Sequence, residues 1–156
     1  MKKFRFPLRT VATVRNLAEL RARERFSAAV QVFMEAEAKL KAIRARLAEF
    51  EQLLVSRRGQ SFRPAEEAGF LEALRQETVL ATKTEAEVST ARQALEAARQ
   101  AWLESRRDVR VIENLETKAR QTHAREVERE NQAALDDRTN AVVARAASHA
   151  ASQNLS

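Results

Sequence analysis

The chain has 156 residues, no cysteine, two glycines and two prolines. These counts exclude disulfides, cysteine-ligated zinc and a cysteine nucleophile, and they leave too few turn-forming residues for a protein built of strands. Hydrophobic residues at 44%, charged residues at 32% and a net charge of +6 are typical of a long helix or coiled coil, not of a compact globule with a large core.

The first predicted helix covers about residues 7–58. Pro7 suits the first turn of a helix, where its missing N–H costs nothing, and no glycine or proline follows until Gly59. Gly59 is placed where a helix ends in a left-handed cap. We expect a turn at about residues 59–63.

The second predicted helix covers about residues 64–145 and is followed by a frayed tail at about 146–156. Pro64 pushes the preceding residue out of helical geometry, and Glu66 and Glu67 fill a first turn that favours negative charge. We expect residues 1–156 to form a single domain. With no apolar block of membrane-spanning length and no signal peptide, we also expect a cytoplasmic protein.

Both helices carry a narrow apolar stripe with coiled-coil spacing. In the first helix every gap is three or four residues, and in the second the main series recurs every seven. The first stripe is Phe26, Ala29, Phe33, Ala36, Leu40, Ile43, Leu47, Phe50 and Leu54, and the second is Leu74, Ala81, Val88, Leu95, Trp102 and Val109.

The short turn predicts an all-α fold, a long antiparallel two-helix coiled-coil hairpin. Large residues face small ones when partner residue numbers add up to 124, which pairs Phe33 with Ala91, Phe26 with Ala98 and Ala22 with Trp102. In this register residues after about 120 form a C-terminal helical overhang. Parallel homodimerisation through the same stripes is the alternative architecture.

No arrangement of residues in the sequence is typical of catalysis. His123 and His149 lack metal-ligand spacing, and we interpret both as solvent-exposed or frayed. Basic residues such as Arg21, Arg23 and Arg25 raise the alternative of a coiled-coil scaffold that binds nucleic acid. We expect acids of the second helix to neutralise many of these cations, so that the chain binds no nucleic acid, and we expect no enzyme activity and no cofactor or metal.

The chain begins with a Phe-x-Phe-x-Leu motif at Phe4, Phe6 and Leu8, followed by a long coiled-coil helix, and an acidic pair, Asp136 and Asp137, follows further along the second helix. In these features the chain resembles the bacterial flagellar export protein family FliJ. The resemblance continues from Trp102 to the acidic pair, where the family has Asp-Glu, and it spans about residues 3–145. An injectisome stalk of the same superfamily, similar to YscO, is the alternative.

The resemblance implies a non-enzymatic central stalk and chaperone escort of the flagellar type III export apparatus. The implied partners are the hexameric export ATPase (FliI-like), the export-gate protein (FlhA-like) and export chaperones, at the cytoplasmic face of the membrane gate. The implied ATPase-binding residues are Arg9, Thr13, Arg15, Glu126, Glu130, Asp136 and Asp137. The implied gate contacts are Phe70, Leu71 and Leu74.

Overall fold

A computed structural model describes residues 3–61 and 63–153. Its secondary structure consists of two helices, α1 (Arg9–Ser56) and α2 (Pro64–Gln153), and the described residues contain no strand. The expected tail began at about residue 146, whereas α2 is helical to Gln153, and residues 154–156 lie outside the described part of the chain.

Local sequence signals explain where the helices begin and end. Gly59 has a φ of 92°, which confirms the predicted left-handed residue after α1. At the start of α2, the Arg63 carbonyl accepts hydrogen bonds from the Glu66 and Glu67 N–H groups at 2.9 and 3.1 Å. Glu66 and Glu67 occupy the first turn, as predicted, where their charge complements the helix dipole.

Contacts between the helices confirm the antiparallel hairpin. Partner residue numbers add up to 123 for the Arg15–Asp108 ion pair, 126 for Lys39–Glu87 and 129 for Arg44–Glu85. A nearly constant sum requires helices that run in opposite directions, and these values lie within five residues of the predicted 124.

Packing divides the chain into two compact units, one of Asn16–Arg107 and one of Met1–Arg15 with Asp108–Ser156. In the Asn16–Arg107 unit the seam between the helices buries Ile43 and Thr84 almost completely, at 1% and 0% exposure. Most predicted stripe residues of this unit are buried or half-buried, and Leu54 is the exception within the α1 stripe. That the chain forms one domain stays a prediction.

The predicted pairing of large with small side chains does not hold for Phe26 and Trp102, whereas the pairing of Phe33 with Ala91 stays a prediction. Phe26 stacks on Trp102, with ring centroids 5.4 Å apart and planes 8° apart, and Phe50 meets Phe70 edge to face at 5.3 Å. Long aromatic side chains reach across the seam to the position one turn away, where ring–ring contacts add stabilisation. The predicted register holds, but these aromatic residues contact the position on the opposite helix that lies one turn away from the predicted partner.

Candidate functional site

In the unit of Met1–Arg15 and Asp108–Ser156, the segment before α1 packs on α2. The Phe4 ring meets His123 edge to face, with centroids 5.5 Å apart, and the Arg120 guanidinium lies 4.9 Å from the Phe4 centroid. Phe6 is buried. We call Phe4, Phe6, Arg120 and His123 the N-terminal clamp.

The clamp corrects two expectations from the sequence. His123 is half-buried and contacts Phe4, so its interpretation as a solvent-exposed residue is wrong. The unpaired C-terminal overhang of α2 begins later than residue 120. The reason is that the residues before α1 also pack on α2, past the point where α1 begins. The last half-buried residue of α2 is Val127.

Residues 128–149 form a helix in which every side chain is exposed. We call this stretch the bare segment. Its larger apolar residues, Leu135, Val142 and Val143, are 55–64% exposed. An isolated polar helix is only marginally stable in water, and no side chain of the bare segment is buried against another described residue.

The four acids implied by the family resemblance lie in or beside the bare segment. Glu126 lies two residues before it, and Glu130, Asp136 and Asp137 lie within it. All four are exposed, and none forms an ion pair with another described residue; Asp136 accepts one hydrogen bond, from Gln132 Nε2 at 3.1 Å. The acids therefore present their charge to solvent.

The three implied residues of α1 differ in how free their side chains are. Arg9 is the first residue of α1 and lines an open cleft together with Thr13 and Arg120. The Thr13 hydroxyl donates a hydrogen bond to the Arg9 carbonyl at 3.1 Å. Arg15 Nη1 contacts Asp108 Oδ2 at 2.6 Å, so its charge is already paired within the hairpin.

The three residues implied to contact the gate lie in the Asn16–Arg107 unit, and only Leu71 is exposed, at 52%. Phe70 packs on Phe50, and Leu74 is half-buried. Next to Leu71, hydrogen bonds from Arg75 and then from Gln76 hold the pKa of the Glu72 carboxyl below its usual value. The exposed leucine is therefore flanked by a carboxylate that remains ionised at neutral pH.

The described residues contain neither a cluster of candidate metal ligands nor a membrane-spanning helix. No three His, Asp or Glu residues in this part of the chain are grouped so that they could hold a metal. Within the same residues, neither helix is long and apolar enough to cross a membrane.

A comparison with protein-family models identifies the relatives of this chain. The model of the flagellar FliJ protein matches residues 4–148. The chain belongs to the flagellar FliJ protein family. No curated protein and no solved structure matches it.

Membership of the FliJ family makes the chain a component of the flagellar type III export apparatus, and it confirms the resemblance seen in the sequence. The match begins at Phe4, so the N-terminal clamp lies inside the family region. In the sequence, Phe4 and Phe6 belong to the motif that carries the family resemblance, and the motif does not indicate which residues they contact. The only available signal was the register itself, which places Phe4 opposite Arg120.

Proposed function

We propose that this FliJ-family protein is a non-enzymatic stalk that inserts its bare segment into the ring of the hexameric export ATPase and stimulates ATP turnover. The observation that carries the proposal is the bare segment itself: residues 128–149 are helical, yet no side chain among them is buried. A helix exposed on all sides gains stability when a surrounding partner covers it.

In this proposal the contact between the bare segment and the ATPase ring is electrostatic. Glu126, Glu130, Asp136 and Asp137 present unpaired carboxylates, which suit basic residues lining a ring pore. Exposed ion pairs contribute only about 0–1 kcal/mol each, so such a contact is weak enough for the ring to cycle around the stalk. From α1, Arg9 and Thr13 are available for the same partner, whereas Arg15 serves the contact by holding α1 against Asp108.

The proposed contact with the export gate lies in the Asn16–Arg107 unit. Leu71 is exposed, as are Leu53 at 49% and Val55 at 61% before the turn, so this end of the hairpin offers apolar surface to a gate protein. Phe70 and Leu74 support Leu71 from the seam. We place the protein in the cytoplasm, peripherally associated with the membrane gate, where it also escorts export chaperones.

The interhelix ion pairs weaken the nucleic-acid alternative. Among the described residues, four ion pairs join α1 to α2, and in each of them α1 supplies the cation. Phosphate binding needs unpaired cations, so these four residues are not available to it. Arg21, Arg23 and Arg25, which raised the alternative, form none of these pairs, so the expectation that acids of α2 neutralise them is not met. The flagellar family match favours the flagellar apparatus over an injectisome as the place of action.

The ATPase contact is tested by replacing Glu126, Glu130, Asp136 and Asp137 with alanine. We expect the variant to lose most of its binding to the cognate export ATPase and its stimulation of ATP turnover, because up to four ion pairs are removed. Its melting temperature should stay nearly unchanged, since exposed substitutions usually alter stability by less than about 0.5 kcal/mol. Turnover titrations and circular dichroism measure the two effects.

The matched control removes four exposed acids from α1: Glu24, Glu37, Glu49 and Glu51. It changes the net charge equally and should stimulate the ATPase like the wild type. A truncation after Val127 should abolish stimulation, while the N-terminal clamp keeps its partners on α2. Wild-type stimulation by the four-acid variant would show that these acids are ordinary solvated surface.

The gate contact has its own test. Leu71→Ala should weaken binding to the purified cytoplasmic domain of the gate protein. Val79→Ala, which removes an apolar side chain that is 62% exposed against 52% for Leu71, should not. Equal binding by both variants would remove Leu71 from the site.

A further inference from the structure

One flank of the seam in the Asn16–Arg107 unit carries arginines that the hairpin does not neutralise. Arg44 and Glu85 follow the buried residues Ile43 and Thr84, and they form an ion pair across the seam at 3.0 Å. Steps of one heptad from this pair, toward the N-terminus on α1 and toward the C-terminus on α2, give the equivalent positions further along. These positions are Glu37 with Arg92, Val30 with Arg99, and Arg23 with Arg106.

Charge complementarity is therefore lost along this flank. The Arg44–Glu85 pair joins a base to an acid. The heptad steps then assign an acid and a base to the second layer, a valine and an arginine to the third, and two arginines to the fourth. We call Arg23, Arg99 and Arg106 the arginine flank. Like charges at equivalent seam positions oppose pairing by a few tenths of a kcal/mol each, so this arrangement does not stabilise the hairpin.

The contacts of these side chains leave their charges available. Arg23 has no hydrogen-bond or ion-pair partner among the described residues. Arg99 meets only Glu96 of its own helix, at 3.8 Å, and both side chains are 58% exposed. The Arg106 guanidinium lies 5.3 Å from the centroid of the Trp102 ring, a contact that leaves its N–H donors free.

Trp102, which lies next to Arg106 of the arginine flank, has a fixed orientation. Its Nε1–H donates a hydrogen bond to Glu19 Oε1 at 2.8 Å, and its ring stacks on Phe26. These contacts fix the indole plane beneath Arg106. They also engage the Glu19 carboxylate, so this acid is occupied within the hairpin.

We propose that the arginine flank is a docking surface for an acidic helix of a partner protein, distinct from the ATPase contact. Arg99 and Arg106 are seven residues apart, about 10 Å along α2, which equals the spacing of glutamates one heptad apart on a second helix. The Arg44–Glu85 pair shows that this flank accommodates a glutamate from a neighbouring helix.

A helical protein fits this surface better than nucleic acid does. The flank is a single row of cations, and Glu96 beside Arg99 repels phosphates. Base stacking needs an open aromatic face, but the Trp102 ring is occupied by Phe26 and Arg106.

The test uses a synthetic helical peptide of three heptads with one glutamate at the same position of each heptad. A sequence isomer with its glutamates spread around the helix is the comparison probe. Labelled-peptide anisotropy measures binding to the full chain. Trp102, the single tryptophan of the chain, gives a second signal from within the site.

We expect the heptad peptide to bind and the isomer to bind more weakly. The double variant R99Q/R106Q should weaken heptad-peptide binding about tenfold, since two exposed ion pairs are lost. The control K41Q/K83Q removes two exposed cations of the same unit and should bind like the wild type. Variants altered in the bare segment should also bind normally, so failure here is separable from failure of the ATPase proposal.

Circular dichroism checks that each variant folds. If R99Q/R106Q does not fold, R23Q is used in its place, with an expected loss of binding of about threefold.

Equal binding of both peptides, or equal losses in R99Q/R106Q and K41Q/K83Q, would overturn the proposal in favour of general charge attraction. Tighter binding of duplex DNA with the same arginine dependence would overturn it in favour of nucleic acid. Arginine-dependent self-association in sedimentation would assign the surface to a second copy.

Discussion

The seam of the Asn16–Arg107 unit and the bare segment are both continuous α-helix, but different forces hold them. In the seam, Ile43 and Thr84 are almost fully buried and apolar spacing repeats in threes and fours. In the bare segment, Leu135, Val142 and Val143 are exposed, and alanine and charged residues with high helix propensity dominate. The comparison teaches that local sequence is enough to specify a helix. How stable the helix is depends on packing against a neighbour.

The largest expected effect on stability comes from removing a buried side chain from the seam. Ile43→Ala should lower the free energy of unfolding by about 2–5 kcal/mol, because a fully buried side chain leaves a cavity between the helices. Chemical denaturation measures the loss. Val142→Ala in the bare segment is the matched control and should change the value by less than about 0.5 kcal/mol; similar losses in both variants would erase the comparison.

A second variant sharpens the comparison by improving the seam. Thr84 is fully buried and its hydroxyl has no hydrogen-bond partner, whereas Thr82 donates to the Thr78 carbonyl at 3.1 Å. Thr84→Val should raise the free energy of unfolding by about 1 kcal/mol, because an unpaired polar group leaves the core. Thr82→Val, at an exposed site, should have almost no effect. A destabilised Thr84→Val variant would show that the hydroxyl has a partner in solution.

The smallest effect on global unfolding should come from the bare segment. Ala141→Gly costs about 1 kcal/mol of helix propensity, but no packing depends on this residue. We expect amide exchange within residues 128–149 to rise about fivefold and the main unfolding transition to stay in place. Hydrogen exchange with mass spectrometry resolves the two regions. A shifted main transition would mean that the bare segment is packed.

Most of the fold could be predicted from the sequence because heptad spacing is a property of residues along one helix. The series from Phe26 to Phe50 is buried or half-buried without a gap, and Gly59 has its predicted conformation. Which aromatic residues meet was not predictable from size alone. Phe26 and Trp102 gain stacking by reaching across a turn, a preference of ring geometry that volume matching ignores.

The candidate site was less predictable for a different reason. The acids at Asp136 and Asp137 came from the family resemblance, and exposure of the bare segment followed from the register. For the N-terminal clamp the register alone gave a signal, by placing Phe4 opposite Arg120, and periodicity gave none, because Phe4 lies before α1 and is not helical. Periodicity describes only regular structure, so an extended segment that packs on a helix leaves no periodic signal.

The antiparallel register also sets an order of assembly. Partners are 31 residues apart in sequence at Arg46–Glu77, 48 at Lys39–Glu87 and 93 at Arg15–Asp108. Closing a longer loop costs more chain entropy, while each pair formed near the turn shortens the loop that the next pair must close. The hairpin should therefore zip from Gly59 outward, with Phe4 reaching His123 last and leaving it first during transient opening. The N-terminal clamp is therefore the part of the hairpin that opens at the lowest cost.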